Sequence, residues 1–411
     1  GSIGSIAADL HTNSVPVVRT DTNKGTEEGA FTGVAKTTGA GELKLAHRVK
    51  DNKHEWYWTL TGLNKTPMLD KRVPGYTQMP EVNTRMIGQI LRTLHERRSE
   101  NPRVLHEQRH MESYPMSRVM YAHHEEGDQH PMWAKVLKDY GHHNGHRFGY
   151  TLHTNGIQLG RDWNVKTKED GTTSFNSGYV AYQYGQAKFY DNFNTDDKGQ
   201  QATDLQTGIG TVRNLSLGLT RTKYGAHDQY VDWVGQVSFL RNAYEAVDHS
   251  KETQSSWGFA GSVETGRPHV LRENEHGRTI LEPQGQLVYS YLKLQGIHGT
   301  DKAVSHGGHG TLVGRIGVRL SRESYNRQGV AHRTVYGVAN IWQTFTNAYT
   351  VHIGQDALRG DYGRTIGELG IGAQWRTSDR WYVYGDVRFE RNLGGSYYQG
   401  YRGNVSVKYI W

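Results

Sequence analysis

The chain has 411 residues, 50 of them glycine and none cysteine, and carries a formal net charge of +7 with its 22 histidines counted as neutral. The lack of cysteine excludes disulfide scaffolds, thiolate metal sites and cysteine nucleophiles. No stretch approaches the ~18 consecutive apolar residues of a transmembrane helix, and the scattered Lys and Arg argue against a nucleic-acid partner. Only 35% of residues are hydrophobic, yet 25 Tyr and 10 Trp are too many for a disordered chain. A transmembrane β-barrel reconciles these numbers, because it carries its apolar surface on alternate residues and is hydrophilic on average. Gly1–Ser5 shows neither a charged nor an apolar leader. Any signal peptide is therefore expected to have been removed, or the chain to be part of something longer.

Three regions follow one another. Residues 1–70 are polar and rich in Gly and Thr, with short strand-like pieces at Gly41–Leu45 and Trp56–Leu60. Residues 71–131 hold the one convincing helix, expected at about 80–98. Pro80 suits its first turn and Glu81 its N-terminal dipole. Val82, Met86, Ile90 and Leu94 recur on one face, with Ile87 and Leu91 beside them. Arg92, Arg97 and Arg98 lie on the polar side and at the C-terminal end. Such a helix would span roughly 30 Å at ~1.5 Å per residue. Residues 99–131 form a polar segment containing His106-Glu107-Gln108-Arg109-His110. That spelling is the zinc-hydrolase pattern H-E-x-x-H, but its neighbours Glu112 and Ser113 supply no apolar stripe for an active-site core. Chance spacing in a histidine-rich chain is the simpler account, and neither metal nor cofactor is expected. His123, His124, His130, His142, His143 and His146 are read in the same way, as exposed turn residues.

From Met132 to Trp411 the hydrophobic period becomes two. Leu215, Leu217 and Leu219 alternate with Ser216, Gly218 and Thr220, and Leu369, Ile371, Ala373 and Trp375 with Glu368, Gly370, Gly372 and Gln374. About twelve such strands can be counted. The second face decides between a soluble sandwich and a barrel. It holds Glu264, Arg315, Arg319, Glu368, Asp386, Arg388 and Glu390 among Gly and Ser, and unpaired charges exclude a dry core on that side. An apolar outside with a charged but enclosed inside is a barrel in lipid around a wet lumen. Tyr382, Tyr384, Tyr397, Tyr398 and Tyr401 are expected to form interfacial girdles. No G-x-S-x-G elbow is present, so lipase-type catalysis is not expected.

Six fragments in order resemble the translocation unit of the type V secretion autotransporters, in particular the AIDA-like, pertactin-related group. Tyr76–Val82 is similar to the family's Y-x-P-E-V at the start of the pore helix, and Leu94-His95-Glu96-Arg97 to the L-H-D/E-R at its end. Gly156–Asp162 resembles G-x-Q-L-G-x-D, Val263–Gly266 and Leu281–Tyr289 the pair E-x-G and L-E-P-x-A-Q-L-x-Y, and Gly314–Gly317 the family's G-R-L/I-G. The resemblance covers residues from about 35 to the end. It implies an all-β fold: a 12-stranded antiparallel outer-membrane barrel over 132–411, an α-helix in its pore, and a short β-helix-like passenger remnant before it.

The same resemblance implies export of an N-terminal passenger to the cell surface. Residues 1–70 would end the passenger and its junction, with β-helix rungs at about 29–66. The implied partners are outer-membrane lipid, the chain's own passenger, the barrel-insertion machinery and periplasmic chaperones. Val405, Val407, Tyr409 and Trp411 resemble the aromatic-ended insertion signal. Val82, Asn83, Met86, Ile90, Arg92, Leu94 and Arg97 would be pore-helix residues. Glu264, Arg315, Arg319, Glu368, Asp386 and Arg388 would be lumen charges that solvate the pore or hold the helix. Some family members cut their own linker helix with an Asn and lumen acids, which directs attention to Asn83. The polar segment 99–131 departs from the family pattern, in which the first strand follows the helix closely. Rival readings are a diffusion porin or adhesin barrel, and a zinc-dependent protease built on the H-E-x-x-H.

Overall fold

The computed structural model describes residues 5–6, 15–20, 27–98, 131–327, 331–360 and 365–410. Among them, four short strands come first: β1 (Pro16–Thr20), β2 (Val34–Lys36), β3 (Glu42–Lys50) and β4 (Lys53–Thr59). They pair in the order β1-β4-β3-β2, every pairing antiparallel. The rungs of a β-helix would pair in parallel, so the β-helix expectation for 29–66 gives way to an antiparallel stem sheet. Its central hairpin turns at Asp51 and Asn52, both with positive φ (53° and 60°), the conformation a two-residue type I′ turn requires.

A 3-10 turn (Leu63–Lys65) and two α-helices follow, α1 (Val73–Leu91) and the single turn α2 (Leu94–Arg98). The expectation of one helix over 80–98 is corrected at both ends. Pro74, not Pro80, occupies the first turn, and Pro80 lies inside the helix. An internal proline removes one backbone donor and so frees the carbonyl four residues back. Here the freed carbonyl is that of Tyr76, and His306 Nε2 donates to it at 2.7 Å. The helix closes at Arg92, whose φ of 36° lies outside the helical region.

The long strands are β5 (Met132–Asn144), β6 (Phe148–Thr167), β7 (Thr173–Asp191), β8 (Gln206–Tyr224), β9 (Tyr230–Ala246) and β10 (Lys251–Gly266), with a short hairpin arm β11 (His269–Asn274). After β12 (Gly277–Leu294), β13 (Val304–Ser305), β14 (Gly308–Tyr325) and β15 (Ala331–Thr344) come two short strands, β16 (Thr350–Ile353) and β17 (Asp356–Arg359). The last three are β18 (Thr365–Arg376), β19 (Trp381–Gly394) and β20 (Tyr397–Tyr409). Twelve of these form a closed antiparallel barrel: β20 pairs with β5 along its whole length, and β10 pairs with β12 to complete the ring. At one end short turns such as 168–172 and 225–229 join the strands. At the other, longer connections (192–205, 295–307 and the one bearing β16 and β17) form a crown.

Side-chain parity sorts the wall as the period-two pattern requires. Leu215, Leu217 and Leu219 on β8 are 43%, 46% and 66% exposed on the outside, while Asn214, Ser216 and Thr220 are buried inside. The girdle expectation needs correction: Tyr382, Tyr384 and Tyr398 are buried in the lumen, because they share parity with Asp386 and Arg402, whereas Tyr401 does face outward. His143 is likewise buried on the inner wall rather than exposed in a turn, because β5 continues past it to Asn144.

An arginine placed in the middle of the leucine row should be costly, whereas a change of apolar shape there should not. Leu217→Arg is expected to destabilise the folded barrel by roughly 2–4 kcal/mol, with Leu217→Ile close to neutral. Denaturant unfolding of the protein inserted in lipid vesicles checks both values.

Candidate functional site

The feature of the barrel to be explained is its filled lumen. Val73, Met79, Val82, Met86, Ile87 and Ile90 of α1 form one core with Leu152, Ala187, Phe189, Val212 and Leu240 of the wall. Contact is densest along β6 to β9, so the helix leans on one side of the pore. On the other side a cavity of about 260 Å³ remains between Arg85, Gly88 and Arg92 of the helix and Val288, Trp342 and Tyr349.

Polar side chains set the depth and rotation of α1. At its N-terminal end Asp70 accepts from the backbone and the guanidinium of Arg72 (both 3.0 Å), and Arg72 also donates to Asp301 at 2.7 Å. The Tyr76 hydroxyl donates to Glu252, and Gln78 Nε2 donates to the Gly149 carbonyl at 2.8 Å. Midway, Asn83 and Asn242 exchange amide hydrogen bonds at 2.9 and 3.0 Å, and Ser256 donates to Asn83 at 2.7 Å. Arg85 donates to the Tyr150 hydroxyl at 2.6 Å and lies over the Tyr398 ring at 3.7 Å. The tyrosines expected in a girdle are thus partly spent on holding the helix.

At the C-terminal end the wall grips the break and the turn that follows it. Arg92 reaches Glu368 at 2.8 Å, and Gln286 donates to the Arg92 carbonyl at 3.0 Å. Glu264 accepts the Leu94 backbone N–H at 2.9 Å, satisfying a donor that opens α2. Glu96 is buried between Arg388 (3.2 Å) and Arg402 (3.1 Å); Arg402 in turn pairs with Glu368 (2.7 Å) and Glu390 (2.6 Å). His95 meets Glu282 at 2.9 Å, and Arg97 meets Asp232 at 2.9 Å.

Of the expected lumen charges, Glu264, Glu368 and Arg388 therefore touch the helical segment. Arg315 supports Glu264 from 3.4 Å. Asp386 pairs with Arg388 at 3.0 Å, and Arg319 lies over the Tyr336 ring at 4.2 Å. Asp232, Glu282, Arg402 and Lys135, whose ammonium donates to the Glu96 carbonyl, escaped the sequence reading as site residues. Inward parity was their available signal, but parity does not say which inward residues lie level with the helix end. Val405 and Val407 face outward, the Tyr409 ring meets Trp381 at 4.7 Å in a tilted arrangement, and Trp411 lies outside the described residues. So do His106, Glu107, His110, His123, His124 and His130, and the Arg98 side chain. Among the described residues no group of three His, Asp or Glu is arranged to hold a metal ion.

The crown holds the stem sheet. Lys44 Nζ is buried and donates to the Thr195 and Asp196 carbonyls at 2.9 and 2.6 Å. Lys302 Nζ donates to the Thr37 and Gly39 carbonyls at 2.8 and 2.6 Å, and Asp356 accepts the Ala40 N–H at 2.8 Å. Burial lowers the pKa of both lysines. The chain therefore runs from a stem at the crown, through the pore, to the end with the short turns.

A ring of antiparallel strands around an inserted helix defines a class, and comparison with known proteins gives the family. The Autotransporter beta-domain model matches residues 132–388. The chain belongs to that family and is an outer-membrane β-barrel of the translocator class. Its curated relatives include the adhesin BmaC autotransporter of Brucella suis biovar 1 (strain 1330), 27% identical over 217 residues. That match spans 50% of this chain and 6% of the far longer relative. The fold is similar to the transport unit of the autotransporter AIDA-I from Escherichia coli, with TM-score 0.56 and 18% identity, covering 70% of this chain and 92% of that one. It is also similar to the translocator domain of NalP from Neisseria meningitidis, with TM-score 0.54 and 14% identity, covering 82% and 99%.

His306, in the crown, makes the upper seat of the helix sensitive to acid. It donates from Nε2 to Tyr76 and accepts at Nδ1 from Gln254 at 3.0 Å, so the neutral ring fits and the charged ring does not. Burial lowers its pKa from 6.5 to about 4. The stabilisation it contributes is complete above pH 6.5 and is lost as the pH falls through about 4. At full protonation the loss is on the order of 3 kcal/mol. Protection factors of the amides across residues 73–80, referred to the intrinsic exchange rate at each pH, are expected to fall between pH 6.5 and 4 while those of the barrel strands stay high. In His306→Gln, which can donate without titrating, that pH dependence should be absent.

Proposed function

We propose that this barrel exports the chain N-terminal to it and then keeps α1 as its plug. The observation that carries the reading is the path of the chain: a stem clasped by the crown, a helix through the lumen, and a return into β5 at the turn end. Long connections mark the outer side of such barrels and short turns the periplasmic side. The stem then lies at the cell surface, where a preceding passenger would be displayed. On this reading residues 1–70 end the passenger, 71–131 link it through the pore, and 132–411 form the translocator. No nucleotide-binding loop is evident in the sequence, so passenger folding outside the cell is the energy source that fits. The outward valines of β20 suit recognition by the insertion machinery, with periplasmic chaperones holding the chain before insertion.

The helix stays whole on this reading. Asn83 could attack its own carbonyl only if its carboxamide were free and an acid stood beside it. Among the described residues its side-chain partners are Asn242 and Ser256, and no carboxylate bonds to it. The purified protein is expected to give one intact mass spanning residue 83, and cleavage there would overturn this point.

Two measurements test the main reading. A signal peptide and epitope tag placed ahead of Gly1 should bring the tag to the surface of intact Gram-negative cells, where external protease removes it. A tag that stays protected above a correctly inserted barrel would sink the export reading. In planar bilayers, deleting residues 73–98 should raise single-channel conductance several-fold, because the helix fills most of the lumen. Equal conductance with and without the helix would favour a diffusion porin.

A further inference from the structure

The outer face of β19, β20, β5 and β6 carries cations at the crown-side edge of the apolar belt. Lys138 is the central residue of β5 and points outward, its parity set by buried Trp133, Lys135 and Leu137 on the opposite side. Register places it between Gly403 of β20 and Asn155 of β6, and Gly403 next to Val387 of β19. On β8 and β9 the outward cations Arg213 and Arg241 stand opposite one another and share their face with Glu245, above the leucine row of β8. Lys138 lies one outward position below the paired Tyr140 and Tyr401, with Val136 and Val405 beneath it, so it stands at the crown-side edge of the apolar belt, where an unpaired cation calls for an anionic occupant.

The surroundings describe that occupant. From Lys138 toward the crown the outward residues of β5 and β20 are polar or aromatic, and β19 adds Phe389, Arg391 and Leu393. The Tyr140 ring stacks near Tyr401 at 6.4 Å and meets His153 at 4.7 Å. Gln399 Nε2 donates to the Tyr401 hydroxyl at 2.6 Å. The Arg391 guanidinium lies over the Tyr397 ring at 5.4 Å, with no carboxylate paired to it or to Lys138 among the described residues. Every outward position of the four strands, read by parity from Trp381, Tyr397, Met132 and Gly149, lacks Asp and Glu. Arg391 pairs in register with Gln399 and Gln399 with His142, so it stands two outward positions above Lys138, and the rings between the two cations suit the interface between acyl chain and headgroup.

We propose that this face binds the phosphorylated headgroup of an anionic lipid of the outer leaflet. Lys138 and Arg391 take the phosphate oxygens, and the Tyr140–Tyr401 pair lies against the sugar or glycerol above the acyl chains. The choice of leaflet rests on the orientation proposed above, because the polar cluster extends toward the crown. The headgroup chemistry does not depend on it, so the surface-display assay and the lipid assay can fail independently.

The test uses the full chain refolded in detergent with equal amounts of hexa-acylated lipid A and zwitterionic phosphatidylcholine, and native mass spectrometry counts the retained lipid. The wild type is expected to prefer lipid A by about tenfold, consistent with two surface cations. The Lys138→Leu/Arg391→Leu variant should fall to near parity, while Arg213→Leu, on the outer face of β8, keeps the preference. A preference that survives in the double variant overturns the proposal, as does equal retention by the wild type. Disulfide cross-linking of Lys138→Cys between two copies, without lipid A preference in the wild type, would make the face a contact between barrels instead. If the double variant does not fold, a diazirine-bearing lipid A decides on the wild type. Adducts on β5 and β20 support the site, and adducts confined to other strands overturn it.

Discussion

Closure of the sheet, β20 onto β5 and β10 onto β12, is the constraint on which the rest depends. In a hydrocarbon slab no water pairs with exposed backbone groups, so a spanning sheet must have no free edge. Twelve strands joined into a ring leave a lumen wide enough for a helix, and each strand then shows lipid on one side and the lumen on the other. That single condition accounts for the low hydrophobic fraction, the alternation along every long strand and the charges at alternate positions. It also explains why glycine is abundant where the wall meets α1. At Gly258, for instance, an added Cβ would come within 2.7 Å of Ile87 Cδ1.

A helix in such a pore has two surfaces to satisfy, and this one meets them differently along its length. Its upper part packs as an ordinary apolar core against β6 to β9. Its lower end enters a cluster in which Glu96, Arg388, Arg402, Glu368 and Arg92 alternate in sign. Buried ion pairs of this kind add little net stability against a well-packed apolar alternative, because desolvation offsets attraction. They do penalise misplacement, since a shift of the helix would leave several charges buried without partners. The cluster therefore specifies where the helix stops more than how tightly it is held. Pro80 and His306 act similarly at the other end: a backbone carbonyl freed by the proline is matched by a single donor from the crown.

Local pattern made much of this visible in advance. Alternation showed the strands and which side of each faced lipid, as with Leu215, Leu217 and Leu219. Charges of opposite parity marked Glu264, Glu368 and Arg388 as luminal. Local pattern was misleading where a residue's partner is distant in the chain. Pro80 looks like a helix start because prolines favour first turns, yet a donor more than two hundred residues away lets it sit inside α1. Tyr384 and Tyr398 look like girdle aromatics because they stand near strand ends, but their parity turns them inward.

By itself, the sequence determined the architecture class. Period-two hydrophobicity with charges on the second face admits a barrel in lipid, and the order of the motif fragments places a helix ahead of it. Tertiary structure decided which charges meet the helix, where the helix breaks and which side of the pore it leans on. Those outcomes depend on the relative height of residues on neighbouring strands, which is set by the tilt and register of a closed sheet. Sequence spacing records the parity of a side chain but not its height around the ring, so Asp232 and Arg402 became part of the helix seat only once the ring had closed.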